Sequence, residues 1–525
     1  MPKPNILLLV ADELRPDALG CYGNRVCRTP NLDRLAGRAI VFQNAFTPNP
    51  ICVPARAAIT TGNYPHVATG IKANSGRIRD DQVKLAGHFA AAGYETYACG
   101  KLHYVPYSPP GVPRLVHGFQ HVELTESGRI VGDFCRTGPG GIGLAEPAAA
   151  PIAGRSALPS PPRGLEDYID YLADVGWSGY SRAHGVGNND VRPCPTPLPA
   201  EHHVDHWVAD CTIRRIREHA PNGAVGRARA GRPFLIHCGF PKPHEPLDPP
   251  AEFVALYDPR DIPPPAGHEG LLAGRNPYLQ RDRLTHALDS LSPAARQVVK
   301  AYYYALITFQ DQQIGRILSA LEETGQADNT IVVFTADHGD LMGDFGCYFK
   351  CVFLEGSVRV PLIVSAPGVA GGRRGQLAGL QDILPTLAAM TGCPLPREVQ
   401  GLDLSPALRD AAATGRKLYY AQCLDEPRQS AMVCDGRWKY CYAQEGPTEE
   451  LYDLAADPRE LVNLAAAAAG QALLPAWRER LAAEARRLGD ASMLRGEGGS
   501  RLVESPLTPI DPRKLPVSGM GWRWY

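Results

Sequence analysis

The sequence predicts an α/β protein: a large, mostly parallel sheet sandwiched by helices, with a smaller C-terminal α+β domain that carries an antiparallel sheet. Three observations predict it. Short, continuous apolar runs recur between residues 5 and 335 and alternate with helical patterns, as parallel strands covered on both faces do. Each run ends in polar, chemically capable residues, and ligands of such sheets sit beyond the carboxyl ends of the strands. Past a composition shift near 393–405 the pattern becomes strand-like alternation followed by one helix.

The first element is Asn5-Ile6-Leu7-Leu8-Leu9-Val10-Ala11, a buried strand that ends at Asp12-Glu13. Thr29-Pro30-Asn31-Leu32-Asp33 opens a capped helix. Cys52-Val53-Pro54-Ala55-Arg56 begins a second, since Pro54 suits a first helical turn and Gly62 suits its end. Tyr94–Cys99 is a strand ending at Gly100-Lys101, and Pro233–Cys238 is another, ending at Lys242 and His244. Gln297 to Glu323 is the clearest helix, and Thr330–Thr335 is a strand ending at Asp337-His338. The Gly-, Pro- and Ala-rich stretch 137–200 reads as an insertion over the sheet and part of a substrate pocket. These elements divide the chain into a domain over 1–395, a small sheet-plus-helix domain over 396–490, with strands in 417–455 and a helix near 468–488, and a tail over 491–525. The tail ends Trp522-Arg523-Trp524-Tyr525; three aromatics there fit docking on this subunit or on a second one in a homo-oligomer.

Composition narrows the function. The chain has 525 residues, 44% hydrophobic and 21% charged, with 54 Lys+Arg against 55 Asp+Glu and a net charge of -1. That balance argues against a nucleic-acid coat or a polybasic membrane anchor, and leaves room for a local basic pocket for a small anion. No apolar run approaches the roughly 18–20 residues that span a bilayer. The stretch after Asn5 is too short for a secretory h-region, so a cytoplasmic protein is expected. The 14 cysteines form no CxxC pair and no zinc-type spacing, so most are expected to be reduced, buried thiols.

Two groups carry chemistry. Cys52 sits at a predicted helix N-terminus, where free N–H groups and the helix dipole favour anions; a buried thiol beside a capped helix is the plainer alternative. Asp12, Glu13, Asp337 and His338 end two strands of one sheet. A single strand-end Asp often merely caps a helix, but two such pairs suit a hard divalent cation. Lys101-Leu102-His103 and Lys242-Pro243-His244 each follow a predicted strand. His202-His203-Val204-Asp205-His206 reads better as a helix start than as a metal site.

Cys52-x-Pro54-x-Arg56 followed by Thr61-Gly62 resembles the signature of the type I, formylglycine-dependent sulfatases of the alkaline-phosphatase-like superfamily. The order of the Asp12 strand end, Thr29-Pro30-Asn31, Gly100-Lys101-Leu102-His103, Lys242-Pro243-His244-Glu245-Pro246, Thr335-Ala336-Asp337-His338-Gly339-Asp340, Lys350 with Val358-Arg359-Val360-Pro361, and Leu451-Tyr452-Asp453 is similar to that family across residues 5 to about 465. The resemblance implies an alkaline-phosphatase-like fold. It also implies that a formylglycine-generating enzyme oxidises Cys52 to formylglycine, and that the enzyme cleaves a small organic sulfate ester. It implies a metal held by Asp12, Glu13, Asp337, His338 and residue 52, usually calcium, with manganese or zinc in some branches.

By the same resemblance the formylglycine hydrate attacks sulfur through one hydroxyl and releases sulfate through loss of the second proton. Arg56 stabilises the attacking oxygen, Lys101 and Lys350 bind sulfate oxygens, His103 assists the diol, and His244 serves the leaving group. Lys242 is a candidate substrate contact or a residue that supports the site from behind, and Asn74 and His66 are further candidate substrate contacts. Ala55, Glu13, His338, Phe345, Phe349 and Cys351 depart from the commonest family residues. The second reading is a phosphonate monoester or phosphodiester hydrolase of the same superfamily, which shares C-x-P-A-R and the Asp-His pair; the Gly100–His103 segment favours sulfate. A third, a binding protein without turnover, is opposed by the intact Cys52, Arg56, Lys101, His244, Asp337 and Lys350.

Overall fold

The computed structural model describes residues 3–103, 114, 116–126, 163–187, 189–223, 232–286, 288 and 291–509. Residues 137–162 of the expected insertion, Cys135, and the aromatic end of the tail lie outside the described residues.

The core is a sheet of β1 (Asn5–Asp12), β2 (Ile40–Phe46), β3 (Glu95–Gly100), β4 (His121–Leu124), β5 (Phe234–Pro243), β6 (Thr330–Ala336), β7 (Leu362–Ser365) and β8 (Gly372–Gly379). Their spatial order is β4-β3-β5-β1-β6-β7-β2-β8. β7 runs against both neighbours, and the other pairings are parallel. Leu8 of β1 lies between His237 of β5 and Val333 of β6. Every residue of β1 is buried, which explains its unbroken apolar run: a central parallel strand has no solvent face.

The principal helices are α1 (Pro30–Arg38), α2 (Cys52–Thr61), α3 (Leu85–Ala91), α4 (Val204–His219), α5 (Pro293–Glu323), α6 (Ile383–Thr391) and α7 (Ala468–Leu488). α1 begins where expected, but the side chain of Thr29 does not cap it. The N–H groups of Asn31 and Leu32 donate instead to the carboxylate of Asp311 on α5, at 3.0 and 2.8 Å. A tertiary contact replaces the local cap, so α1 is fastened to the long helix that covers one face of the sheet. His203 is the N-cap of α4, its Nδ1 accepting from Asp205 N.

The second sheet is antiparallel, in the order β12-β11-β10-β9, with β9 (Tyr419–Cys423), β10 (Ser430–Cys434), β11 (Trp438–Ala443) and β12 (Thr448–Asp453). One face packs Tyr420, Val433 and Tyr440 on Leu474, Trp477 and Leu481 of α7. The other shares a core with Phe46, Ile51, Phe353 and Val358, residues that lead into α2 and flank Lys350. The small sheet therefore buttresses the segments around Cys52. Among the described residues no helix is long and apolar enough to cross a membrane, and thirteen cysteines are free thiols.

Candidate active site and metal centre

The four strands with polar ends, β3, β5, β1 and β6, are consecutive neighbours and parallel, so their carboxyl ends meet at one edge. Asp12 ends β1 and Glu13 follows it, Lys101 and His103 follow β3, His244 follows β5, and Asp337 and His338 follow β6. α2 brings Cys52 and Arg56 to the same place. The two are one helical turn apart and share a face, and all ten residues of the helix are buried. Asn74 Oδ1 accepts from Val53 N at 3.1 Å, which satisfies one of the first-turn N–H groups that a helix leaves open. Gly62 ends α2 in the left-handed conformation, at φ 69°, where a side chain would be strained.

Cys52 Sγ lies 3.2 Å from His338 Nε2 and 3.9 Å from Asp12 Oδ1. His338 donates its Nδ1–H to Gly339 O at 2.9 Å, which leaves Nε2 facing the cysteine. Arg56 Nε donates to Asp337 Oδ2 at 2.8 Å and its Nη1 to Lys101 O at 3.0 Å, while Nη2 stands 3.7 Å from Asp12 Oδ2. Asp337 Oδ1 accepts from Glu13 N and His338 N at 3.0 and 2.9 Å. Lys101 Nζ is ion-paired to Asp12 and stands 3.8 Å from Glu126. Lys350 Nζ donates to Glu13 Oε2 at 2.7 Å, and His244 Nε2 lies 3.2 Å from the same oxygen. His103 is buried with φ 55°.

The electrostatics follow from burial among charges. Burial raises carboxyl pKa values, but Lys101, His244 and Arg56 hold Asp12 well below the usual carboxylate range. Glu13 is pushed up to about 8 by burial, which Lys350 only partly opposes. The Cys52 thiol is pushed up to about 12, again mainly by burial. Lys101 is raised despite its burial, because Asp12 and Glu126 face it.

Asp12, Cys52, Asp337 and His338 place one ligand atom each within 4.8 Å of one another, and Glu13 groups in the same way with Asp12 and His244. Carboxylate oxygens and an imidazole suit a divalent cation. Acidic groups also outnumber basic ones: Asp12, Glu13, Asp337, Glu126, Glu245 and Asp340 surround Arg56, Lys101 and Lys350. A bound cation offsets that excess, so the residues fit a metal.

Three expected substrate contacts are engaged elsewhere. Lys242 Nζ is 2.7 Å from Pro246 O and 2.5 Å from Asp248 Oδ1, inside its own loop. Asn74 caps α2, and His66 Nε2 donates to Leu488 O at the end of α7. Sequence reasoning did not single out Glu126, Glu245 or Asp340. Glu245 and Asp340 lie inside quoted motifs, so a carboxylate beside a candidate His or Asp was the available signal; Glu126 follows a short strand without one.

The edge itself depends on two glycines. A Cβ on Gly100, at φ 93°, would lie 2.0 Å from Gly239 O, and one on Gly239 would lie 2.1 Å from Lys101 O. Gly100→Ala should push β3 from β5 and displace Lys101. We expect a melting temperature several degrees lower and a kcat loss of about tenfold or more, read by thermal denaturation and steady-state kinetics. A variant with unchanged kcat would show that Lys101 does not need this close approach.

Comparison with known proteins agrees with this geometry. The sulfatase family model matches residues 4–133 and 173–393. The model of the C-terminal region of N-sulphoglucosamine sulphohydrolase matches residues 343–487. An arylsulfatase of Clostridium perfringens is 30% identical over 475 residues, covering 88% of this chain and 90% of that protein. A choline-sulfatase of Rhizobium meliloti is 29% identical over 492 residues, covering 92% and 86%. The fold is also that of a phosphonate monoester hydrolase of Agrobacterium radiobacter, with TM-score 0.72 at 22% identity, covering 96% of this chain and 100% of that one.

Proposed function

The chain belongs to the sulfatase family and is a sulfuric ester hydrolase, and from that premise we propose that it cleaves a small organic sulfate monoester to alcohol and sulfate at Cys52. The observation that carries this reading is the placement of Cys52 at the head of a buried helix, facing Asp12, Asp337 and His338, with Arg56, Lys101 and Lys350 around it.

Formylglycine at position 52, in its hydrated form, would supply one hydroxyl to attack sulfur and a second through which sulfate is released. A divalent cation held by Asp12, Glu13, Asp337 and His338, calcium by family habit, would supply Lewis-acid stabilisation of negative oxygen there. The chain's own residues do the rest. Arg56, locked between Asp337 and the Lys101 carbonyl, orients residue 52 and adds positive charge beside it. Lys101 and Lys350 approach from two sides and neutralise sulfuryl oxygens as charge builds on them. His244 donates its Nδ1–H to Glu245 O at 2.9 Å, which turns Nε2 inward toward the leaving oxygen; burial and Lys350 hold the ring well below the usual histidine range, so it would act as the acid in the doubly protonated form that an anionic ester beside it favours. The S–O ester bond breaks as that proton moves, and the alcohol departs neutral. His103 assists release of the second diol proton.

Two measurements test the reading. With protein matured alongside a formylglycine-generating enzyme, kcat/KM for an aryl sulfate should exceed that for the matching aryl phosphonate. The reverse order would move the assignment to the phosphonate hydrolases whose fold the chain shares. Stripping divalent cations with a chelator should remove nearly all activity and lower the melting temperature, since a ligand at 100 times its Kd stabilises by about 2.7 kcal/mol. Adding back calcium or manganese should restore both, and full activity in the stripped protein would sink the metal assignment.

A further inference from the structure

We infer that Lys242 and Asp248 are positioning residues: their buried ion pair clips the loop between them shut and so aims His244 at the leaving oxygen. The inference rests on the reading of His244 as the leaving-group proton donor, and concerns what holds that imidazole in place.

The loop is Lys242-Pro243-His244-Glu245-Pro246-Leu247-Asp248. Pro243 and Pro246 have no N–H, so the segment cannot build its own ladder of backbone hydrogen bonds. A lysine ammonium has three donors and no acceptor. Lys242 Nζ directs them at Pro246 O, at 2.7 Å, His244 O, at 3.3 Å, and Asp248 Oδ1, at 2.5 Å. One of these acceptors is the carbonyl of His244 itself. With its main chain pinned from below and its Nδ1–H given to Glu245 O, the ring is left facing Glu13 through Nε2.

The clip is anchored on both sides. Lys242 O accepts from Gln310 Nε2 of α5 at 2.6 Å, and the same amide donates to Asp205 Oδ2 of α4 at 3.1 Å. Asp248 Oδ2 lies 3.2 Å from His184 Nε2, and Cys194 N and Thr196 N donate to Leu247 O and Pro249 O at 3.1 and 3.0 Å. The described part of the 163–200 segment therefore grips the far end of the loop. Lys242 and Asp248 are 1% and 6% exposed, so water cannot take the place of either partner at low cost.

A proton donor matters most when the departing alcohol is a poor leaving group, and a residue that merely supports the fold would affect all substrates alike. The test is kcat for phenyl sulfate and for para-nitrophenyl sulfate, measured for the matured full-length enzyme and for Asp248→Asn, Lys242→Met, His184→Ala and His244→Ala. For His244→Ala we expect a loss of about 10²–10⁴-fold on phenyl sulfate and far less on the nitrophenyl ester. Asp248→Asn and Lys242→Met should show the same asymmetry, with about tenfold or greater loss on phenyl sulfate, less than about threefold on the nitrophenyl ester, and KM nearly unchanged. His184→Ala, which leaves the ion pair intact, should move the same way by less.

If His244→Ala is blind to the leaving group, the acid assignment falls and takes the clip with it. If His244→Ala is sensitive while Asp248→Asn and Lys242→Met lose both substrates equally, or lose neither, only the positioning role is overturned. Melting temperatures identify a variant that is simply unfolded; such a variant loses both esters equally and counts against the proposal.

Discussion

The Cys52→Ser protein should transfer one sulfuryl group and then stop. A serine oxygen at the head of α2 would still face Asp12, Asp337, His338 and Arg56, so attack on sulfur remains geometrically open. What is missing is the second hydroxyl of a hydrated aldehyde, whose proton would leave as the carbonyl re-forms and the carbon–oxygen bond to sulfate breaks. The sulfated serine should therefore persist. Steady-state kcat should fall by about 10⁴-fold or more, the scale seen when a catalytic nucleophile is lost. Mass spectrometry of the tryptic peptide Ala39 to Arg56 should show the added sulfuryl group after incubation with an aryl sulfate. Because serine fits the space of cysteine, the melting temperature should barely move. The same peptide from matured wild-type protein should carry an aldehyde in place of the thiol. A serine variant that keeps turning over, or a wild-type enzyme fully active as the free thiol, would each defeat the mechanism.

Asp337→Ala should damage fold and function together. Its carboxylate is fully buried and takes Arg56 Nε on one oxygen and two backbone N–H groups on the other. Truncation leaves a guanidinium that is 1% exposed, with the Lys101 carbonyl at 3.0 Å and the Asp12 carboxylate at 3.7 Å. Breaking a buried pair from one side costs about 3–5 kcal/mol, and each abandoned N–H adds about 1–3 kcal/mol. We expect a melting temperature lower by several degrees at least and activity at background, because the proposed metal ligand and the anchor of Arg56 vanish at once. Asp337→Asn keeps the shape and one acceptor, so it should recover much of the stability and none of the turnover. An alanine variant that melts with wild type would mean that Arg56 is solvated by some route the geometry does not show.

The parts of this arrangement that were legible in the sequence share one physical property: burial on both sides. β1, β3, β5 and β6 announced themselves as unbroken apolar runs because each is buried throughout. These four are the strands that carry the site. β2 was missed because Gln43 and Asn44 interrupt it with an exposed and a half-exposed position. β8, at the sheet edge, opens with Gly372-Arg373-Arg374-Gly375-Gln376, none of them buried, and β7 is only four residues long. Within the site, Asp12, Cys52, Arg56, Lys101, His244, Asp337, His338 and Lys350 were named from motif order, and the structure brings them together. Lys242 could not be placed in advance, since a lysine two residues before a candidate histidine reads the same whether its ammonium meets substrate or its own loop. Contacts such as Asp311 capping α1, or Asp248 holding Lys242 through the β5 loop, depend on packing that no local pattern records.

The strand order also sets a clock. β1 is made first but lies in the middle of the sheet, between partners that end at residues 243 and 336. At about 5–20 residues per second, synthesis leaves both edges of β1 unpaired for on the order of tens of seconds. During that interval α2 has no sheet to bury it, and the Cys52 side chain is open to solvent and to a modifying enzyme. Once β6 arrives, the same helix closes to full burial. Burial of Cys52 in the finished fold means that a protein acting on it has to meet it before folding is complete, and slowing translation before residue 336 should raise the modified fraction, while rapid refolding of the finished, unmodified protein should lower it.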